Sequence, residues 1–328
     1  MADFYLFWCG YSVNNKNGLS FNEEQKEEMV IAPEIIGQEK EKKPIEIIFV
    51  GDLMFDRNIR QAAAKNSNDF IFEPLKDWLG ENDLVVANLE GPITENQSVS
   101  VNTLPGGQNN YIFTFSPSLA NTLFSNNIQL VSLGNNHILN FGQKGLEATK
   151  QYLNKAGISY FGAPVDERSI IKDIKGVKIA LVNYNQFAGN AAVEPSFAKA
   201  TVGERTAVIE EIKKTKAQAD IVIVYAHWGI EYDSVANGVI KNLAHEFVDA
   251  GADLVIGTHP HVIQDKEEYQ GKMIYYSLGN FIFDQYFSLE VKRGLAVKVK
   301  INLADKKVEF EETELCLQGN GQTNICGL

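Results

Sequence analysis

The chain has 328 residues, 45% of them hydrophobic and 22% charged, which suits one large α/β domain or two small ones with a sizeable core. A formal net charge of −12 repels polyanions at long range and argues against a general nucleic-acid-binding role. The three cysteines, Cys9, Cys316 and Cys326, form no CxxC pair, which argues against a cysteine-only zinc site.

The first 43 residues read as an apolar end and a polar linker. Phe4 to Val13 is apolar and aromatic but shorter than the roughly 18 to 20 residues a membrane helix needs, and it lacks a basic n-region and a small-residue cleavage site. Asn14 to Lys43 is rich in Glu, Lys and Asn and reads as a solvated linker, so residues 1–43 are either a truncated membrane anchor or a plain tail. The folded domain is expected over 44–315. Residues 316–328 read as a C-terminal tail, in which Cys316 and Cys326 either pair in an oxidising space or stay two thiols.

Short apolar runs inside the domain predict buried strands at Ile45–Val50, Leu84–Ala87, Ile128–Leu133, Val177–Tyr184, Ile221–Ala226, Leu254–Ile256 and Met273–Leu278. Between them, apolar residues at helical spacing predict helices at Gly142–Ala156, Glu204–Ala219 and Ile240–Ala250. A further helix is expected from Ser116-Pro117 through Phe124, with Ser116 as N-cap. Late strands are expected at Gly294–Asn302 and Lys307–Leu315. The alternation predicts an α/β fold with a parallel or mixed sheet.

Five of these strands end in polar groups suited to metal or proton chemistry, and in α/β sheets ligands bind beyond the carboxyl ends of the strands. Four of the five histidines, His137, His227, His259 and His261, sit at strand ends. One such histidine is usually structural; four suggest a shared site, since neutral imidazole is the commonest metal ligand. His259-Pro260-His261, read as an extended segment, puts both rings on one side of the backbone. Asp52 follows an apolar strand, where a carboxylate needs a cation or donors to meet it. Glu90 follows another strand, and Asn136-His137 offers an amide oxygen beside an imidazole. This donor set suits manganese, zinc or iron, and two such ions about 3.5 to 4 Å apart serve an in-line displacement.

The runs Gly51–Arg57, Asn88–Thr94, Gly134–His137, Ala226–Tyr232, Gly251–Val262 and Tyr276–Gln285 resemble, in order, those of the bacterial CapA family of poly-γ-glutamate capsule proteins. The resemblance covers roughly Ile45 to Leu315. It implies a calcineurin-like, metallophosphoesterase-type fold: a four-layer α/β/β/α sandwich of two facing mixed sheets flanked by helices. It also implies a membrane-anchored position outside the cytoplasm, and one or two divalent metal ions.

By motif, Asp52 and His261 would bind the first metal, Glu90 would stand at the bridging position, and Asn136, His227 and His259 would bind the second. His137 would be the catalytic proton donor or transition-state contact. Met54 stands where the superfamily has a ligand histidine, and a thioether is a poor ligand for hard metals. Asp56 or solvent is expected to compensate. Arg57 would bind a carboxylate or phosphate, while Glu231, Asn280 and Asp284 would contact substrate or hold the ligand histidines.

The function implied is hydrolysis of a phosphoester, or of an amide in an anionic polymer, beside membrane-embedded synthesis or export proteins. The alternatives are a non-catalytic, metal-containing polymer-binding or assembly component, and an intracellular phosphodiesterase on the same fold.

Overall fold

The computed structural model describes residues 43–164, 167–187 and 202–327. The expected apolar end and polar linker therefore lie outside the described residues, apart from Lys43.

The first half alternates strand and helix. Strands β1 (Ile45–Leu53), β2 (Leu84–Leu89), β3 (Ile128–Ser132) and β4 (Ser159–Phe161) are separated by helices α1 (Arg57–Lys65), α2 (Asn68–Phe72), α3 (Lys76–Gly80), α4 (Ser118–Ser125) and α5 (Gly142–Ala156). The second half supplies β5 (Ser169–Ile174), β6 (Val177–Asn185), α6 (Val202–Lys216), β7 (Ile221–His227), α7 (Gly238–Asp249), β8 (Leu254–Thr258), β9 (Lys266–Tyr269) and β10 (Lys272–Tyr275). The chain then returns through β11 (Asn280–Ile282), β12 (Arg293–Ile301), β13 (Val308–Leu317) and β14 (Thr323–Ile325).

Two mixed sheets result. One has the order β14-β13-β12-β1-β2-β3-β4, with β11 added parallel to the end of β1; the other runs β5-β6-β7-β8-β10-β9. The central strands are apolar on both faces because both faces are covered. On β1, Ile48 and Val50 point into a core shared with α1 to α5, while Ile47 and Phe49 point into a core shared with Ile179, Leu181, Ile223 and Tyr225 of the second sheet. That sheet's outer face carries Val182, Val224 and Val255 against Val208, Ile212, Leu243 and Phe247 of α6 and α7. Three cores between four layers make this the calcineurin-like α/β/β/α sandwich.

Some details differ from the sequence reading. Ser116 does not cap α4 through its side chain: Pro117 occupies the cap position with no side-chain bond, while the Ser116 carbonyl accepts Leu119 N–H and its hydroxyl meets Ser118 Oγ at 3.0 Å. The run ending at Leu278 is a strand only to Tyr275. Past Leu315 the chain remains in the sheet. β14 pairs antiparallel with β13, Cys316 is disulfide-bonded to Cys326, and the buried Thr323 hydroxyl donates to Phe281 O at 2.7 Å. No described helix is long and apolar enough to cross a membrane.

Candidate metal centre

The carboxyl ends of strands from both sheets meet at one place. β1 arrives through Gly51, where a Cβ would lie 1.8 Å from Gly279 O, so only glycine lets the two segments touch. The next residue, Asp52, is fully buried, and its Oδ2 accepts the backbone N–H of His259 at 3.0 Å from the other sheet. Its Oδ1 accepts from Asn88 Nδ2 at 2.8 Å. Glu90, just past β2, is held by its own N–H donating to Leu53 O at 2.9 Å.

Glu90 is fully buried, and neither of its carboxylate oxygens has a hydrogen-bond partner. His261 Nε2 lies 3.7 Å and His137 Nε2 3.9 Å from its Oε1, and the Asp52 carboxylate adjoins it. An uncompensated buried carboxylate is costly. Burial, then the charge of Asp52, pushes the Glu90 carboxyl well above the usual carboxylate range. His261 shows the complementary response: burial disfavours its charge, but Glu90 and Asp52 outweigh burial and raise it to about 10. Donor atoms of Asp52, Glu90 and His261 all lie within 4.8 Å of one another, so this group can hold a metal. His261 is oriented for this: its Nδ1 meets Asn280 Oδ1 at 3.0 Å, which leaves Nε2 facing Glu90.

A second donor group adjoins the first. Thr258 Oγ1 donates to Ala226 O at 3.0 Å and lies 3.0 Å from His227 Nδ1, which is also 3.3 Å from Asn88 Nδ2. Burial and then neighbouring histidines lower His227 well below its usual range, so its ring is neutral. Its Nε2 meets Asn136 Oδ1 at 2.9 Å. Asn136 Nδ2 and His259 Nδ1 are buried without partners. The His227 and His259 rings lie 4.8 Å apart and those of His259 and His261 6.0 Å apart. The unpartnered atoms and the oxygen-plus-imidazole donor set thus fit the divalent metal that the resemblance implies.

The two histidines of the His-Pro-His run converge for a different reason than an extended segment would give. β8 ends at Thr258, and His259 (φ 96°) and His261 (φ 59°) both occupy the left-handed region. Such backbone costs about 1–3 kcal/mol per residue and persists where surrounding structure enforces it.

His137 rests against Phe113, with ring centroids 4.4 Å apart, and its Nδ1 meets Asn140 Oδ1 at 3.2 Å. That oxygen also accepts Phe113 N–H, so Nδ1 is the protonated nitrogen. Burial lowers His137 to about 3, so Nε2 presents a lone pair toward Glu90 rather than a proton.

Several expected site residues lie one layer out. Asp56 does not reach the cluster to compensate for Met54. Its carboxylate caps α1 at Arg57 N–H and is further occupied by Arg60 Nε and Thr114 N–H. Met54 is buried in the helix-side core, its sulfur 3.0 Å from Asp56 N–H, and supplies no ligand. Arg57 is paired with Asp284 and bonded through Nη1 to Asn110, and its guanidinium lies over the Phe113 and Phe283 rings. Asp284 also accepts Asn58 N–H, so the two form an internal clamp. The charge of the half-buried Glu231 acts on both Glu90 and His261.

The sequence reading assigned no role to Asn88, Asn135 or Thr258. Asn135 Nδ2 donates to Asn88 Oδ1 and Leu89 O, fixing the amide that binds Asp52. The signal for Asn88 is a polar residue inside the otherwise apolar Leu84–Leu89 run.

A four-layer sandwich whose strand ends gather buried carboxylates, imidazoles and an amide defines a protein with a candidate metal centre between its two sheets. The family model described as "Bacterial capsule synthesis protein PGA_cap" matches residues 46–285, and the chain belongs to that family. It is 32% identical over 243 residues to the Bacillus subtilis "PGA biosynthesis protein CapA" (72% of this chain, 63% of the relative). It is 28% identical over 255 residues to the Bacillus anthracis "Capsule biosynthesis protein CapA" (75% and 61%). The chain thus spans about six-tenths of these relatives' length. Among solved structures, the 5'-nucleotidase of Candida albicans is similar at 13% identity and a TM-score of 0.46, covering 84% of this chain and 52% of that one.

Proposed function

We propose that this chain is a metal-dependent hydrolase acting on a phosphoester, or on an amide of an anionic polymer, in capsule or polyglutamate synthesis or export. The observation that carries the reading is Glu90: a buried carboxylate with two partnerless oxygens beside Asp52 and His261. Asp52, Glu90 and His261 would hold a first cation, and Asn136, His227 and His259 a second, with Glu90 between them; the ion would be manganese, zinc or iron. A bound cation would polarise the scissile bond and lower the pKa of the attacking water.

The protein's own residues do the rest. Asn280 and Thr258 fix the ring orientations of His261 and His227. The Nε2 lone pair of His137 faces the site and would accept or relay a proton in the reaction. The Cys316–Cys326 bond supports an oxidising location outside the cytoplasm, beside membrane-embedded synthesis or export proteins.

Met54 favours a second reading, in which the centre clamps polymer carboxylates without turnover, since the first cation has only three identified protein donors. Assay of metal-loaded protein against a panel of phosphate esters and γ-glutamyl amides separates the two. The hydrolase reading expects chelator-sensitive turnover that falls about 10²- to 10⁴-fold in His137→Ala. No turnover with any substrate, despite bound metal, would favour the clamp.

A further inference from the structure

Beside the candidate metal centre lies an aromatic pair that neither core nor cation needs. Tyr232 is 42% exposed and Phe287 68% exposed, and their rings pack edge to face with centroids 5.2 Å apart. The Tyr232 ring lies 6.2 Å from that of His261. Exposed aromatics of this size are normally turned inward or left mobile. Tyr232 is instead fixed on three sides. Its backbone is in the left-handed region (φ 67°), which a bulky residue rarely adopts, and its N–H donates to Pro260 O, between the two histidines, at 2.8 Å.

Its hydroxyl ends a hydrogen-bond chain that starts at the candidate ligand. His261 Nδ1 meets Asn280 Oδ1 at 3.0 Å, Asn280 Nδ2 donates to Gln285 Oε1 at 3.0 Å, and Gln285 Nε2 donates to Tyr232 Oη at 3.1 Å. The same asparagine that orients the ligand therefore also sets, through Gln285, where the exposed ring stands. Rings preorganised in this way favour binding because little rotamer freedom is lost on contact.

Resting on the hydrolase or clamp reading of the same centre, the geometry points to a substrate-binding subsite at Tyr232 and Phe287. It takes the apolar segment bonded to the anionic group that the metal centre holds. The substrate class is thus an anion carrying an extended methylene chain or a planar group, rather than a small bare anion. A ring 6.2 Å from His261 is within reach of the atoms next to an anion seated against that histidine. Arg57, over Phe113 and Phe283, is already paired with Asp284, and Glu231, whose charge acts on the Tyr232 hydroxyl, is an acid, so the charge that holds the anion comes from the centre. The two rings add apolar faces that discriminate by shape and burial.

The test is calorimetric binding of non-hydrolysable phosphonates to the metal-loaded chain, comparing methylphosphonate with hexyl- and phenylphosphonate, which share one headgroup. The wild type should bind the longer ligands about three- to tenfold more tightly. In Tyr232→Ala and Phe287→Ala that ratio should fall toward one. Phe287 is exposed enough that its removal leaves the core intact, so that variant stands if Tyr232→Ala misfolds. A wild-type ratio near one, or a ratio surviving both substitutions, overturns the subsite while leaving the metal-centre reading in place. Failure of every phosphonate to bind in a metal-dependent way would overturn both.

Discussion

Asp56 and Glu90 are both fully buried carboxylates near the carboxyl ends of adjacent strands, and they differ in everything else. Asp56 accepts from Arg57 N–H at 2.9 Å, Arg60 Nε at 2.8 Å and Thr114 N–H at 2.9 Å, so its charge is compensated by the fold itself. Glu90 has no such donor, and burial drives its carboxyl toward the protonated form. Burial alone does not separate scaffold from site. What separates them is whether the chain supplies the counter-charge or leaves the place for a ligand to supply it.

Three substitutions sharpen that contrast. Asp56→Ala leaves Arg60 Nε and two backbone donors without their acceptor, and should cost about 3–5 kcal/mol in urea unfolding. Glu90→Ala should leave metal-free stability unchanged or raised. The contrast breaks if the two effects are reversed. Asn280→Ala, which leaves His261 Nδ1 with Asp52 Oδ2 at 3.3 Å as its remaining acceptor, should weaken cation binding about 10- to 100-fold in a competition titration. Binding equal to wild type would remove Asn280 from the site's support.

The smallest effect lies at the amino ends of the second sheet, where Asp253 joins Lys216, Lys272 and Val222 N–H. Burial opposes its charge, but these bonds outweigh burial and hold its carboxyl below the usual carboxylate range. A depressed folded-state pKa contributes stability above the unfolded value and loses it as pH falls through the folded one. Asp253→Asn should therefore destabilise by about 1–2 kcal/mol at neutral pH, with the gap to wild type closing below about pH 4. A gap that persists in acid would mean the loss is packing rather than charge.

The doubly covered strands were legible in sequence because both faces are largely apolar, which makes β1, β2, β3, β6, β7 and β8 rich in Ile, Val and Leu with few polar breaks such as Glu46, Gln129 and Lys178. Helix α5 was legible to the residue through its 3.6-residue spacing. Strands β4, β5, β9, β11 and β14 were not, because four are short and β5 and β9 lie at sheet edges with polar, half-exposed residues. The site residues were legible as polar interruptions after apolar runs, and Asp52, Glu90 and His261 do converge. Their supports were hidden, since Asn88, Asn135 and Thr258 act through contacts between segments far apart in sequence. The left-handed backbone of His259 and His261 was equally invisible, because Pro260 reads as an extended linker when its neighbours across the sheets are unknown.

The most direct test is the thermal stability of wild type and Glu90→Gln, each with and without excess manganese or zinc, alongside elemental analysis of both. Cation that binds only the folded state raises stability by mass action, by about 2.7 kcal/mol at a hundredfold excess over Kd. The account predicts bound divalent metal and a clear upward shift for wild type, with both lost in a Glu90→Gln variant that stays folded. A wild type without bound metal and without a shift, or a Glu90→Gln variant that binds as well as wild type, would contradict it.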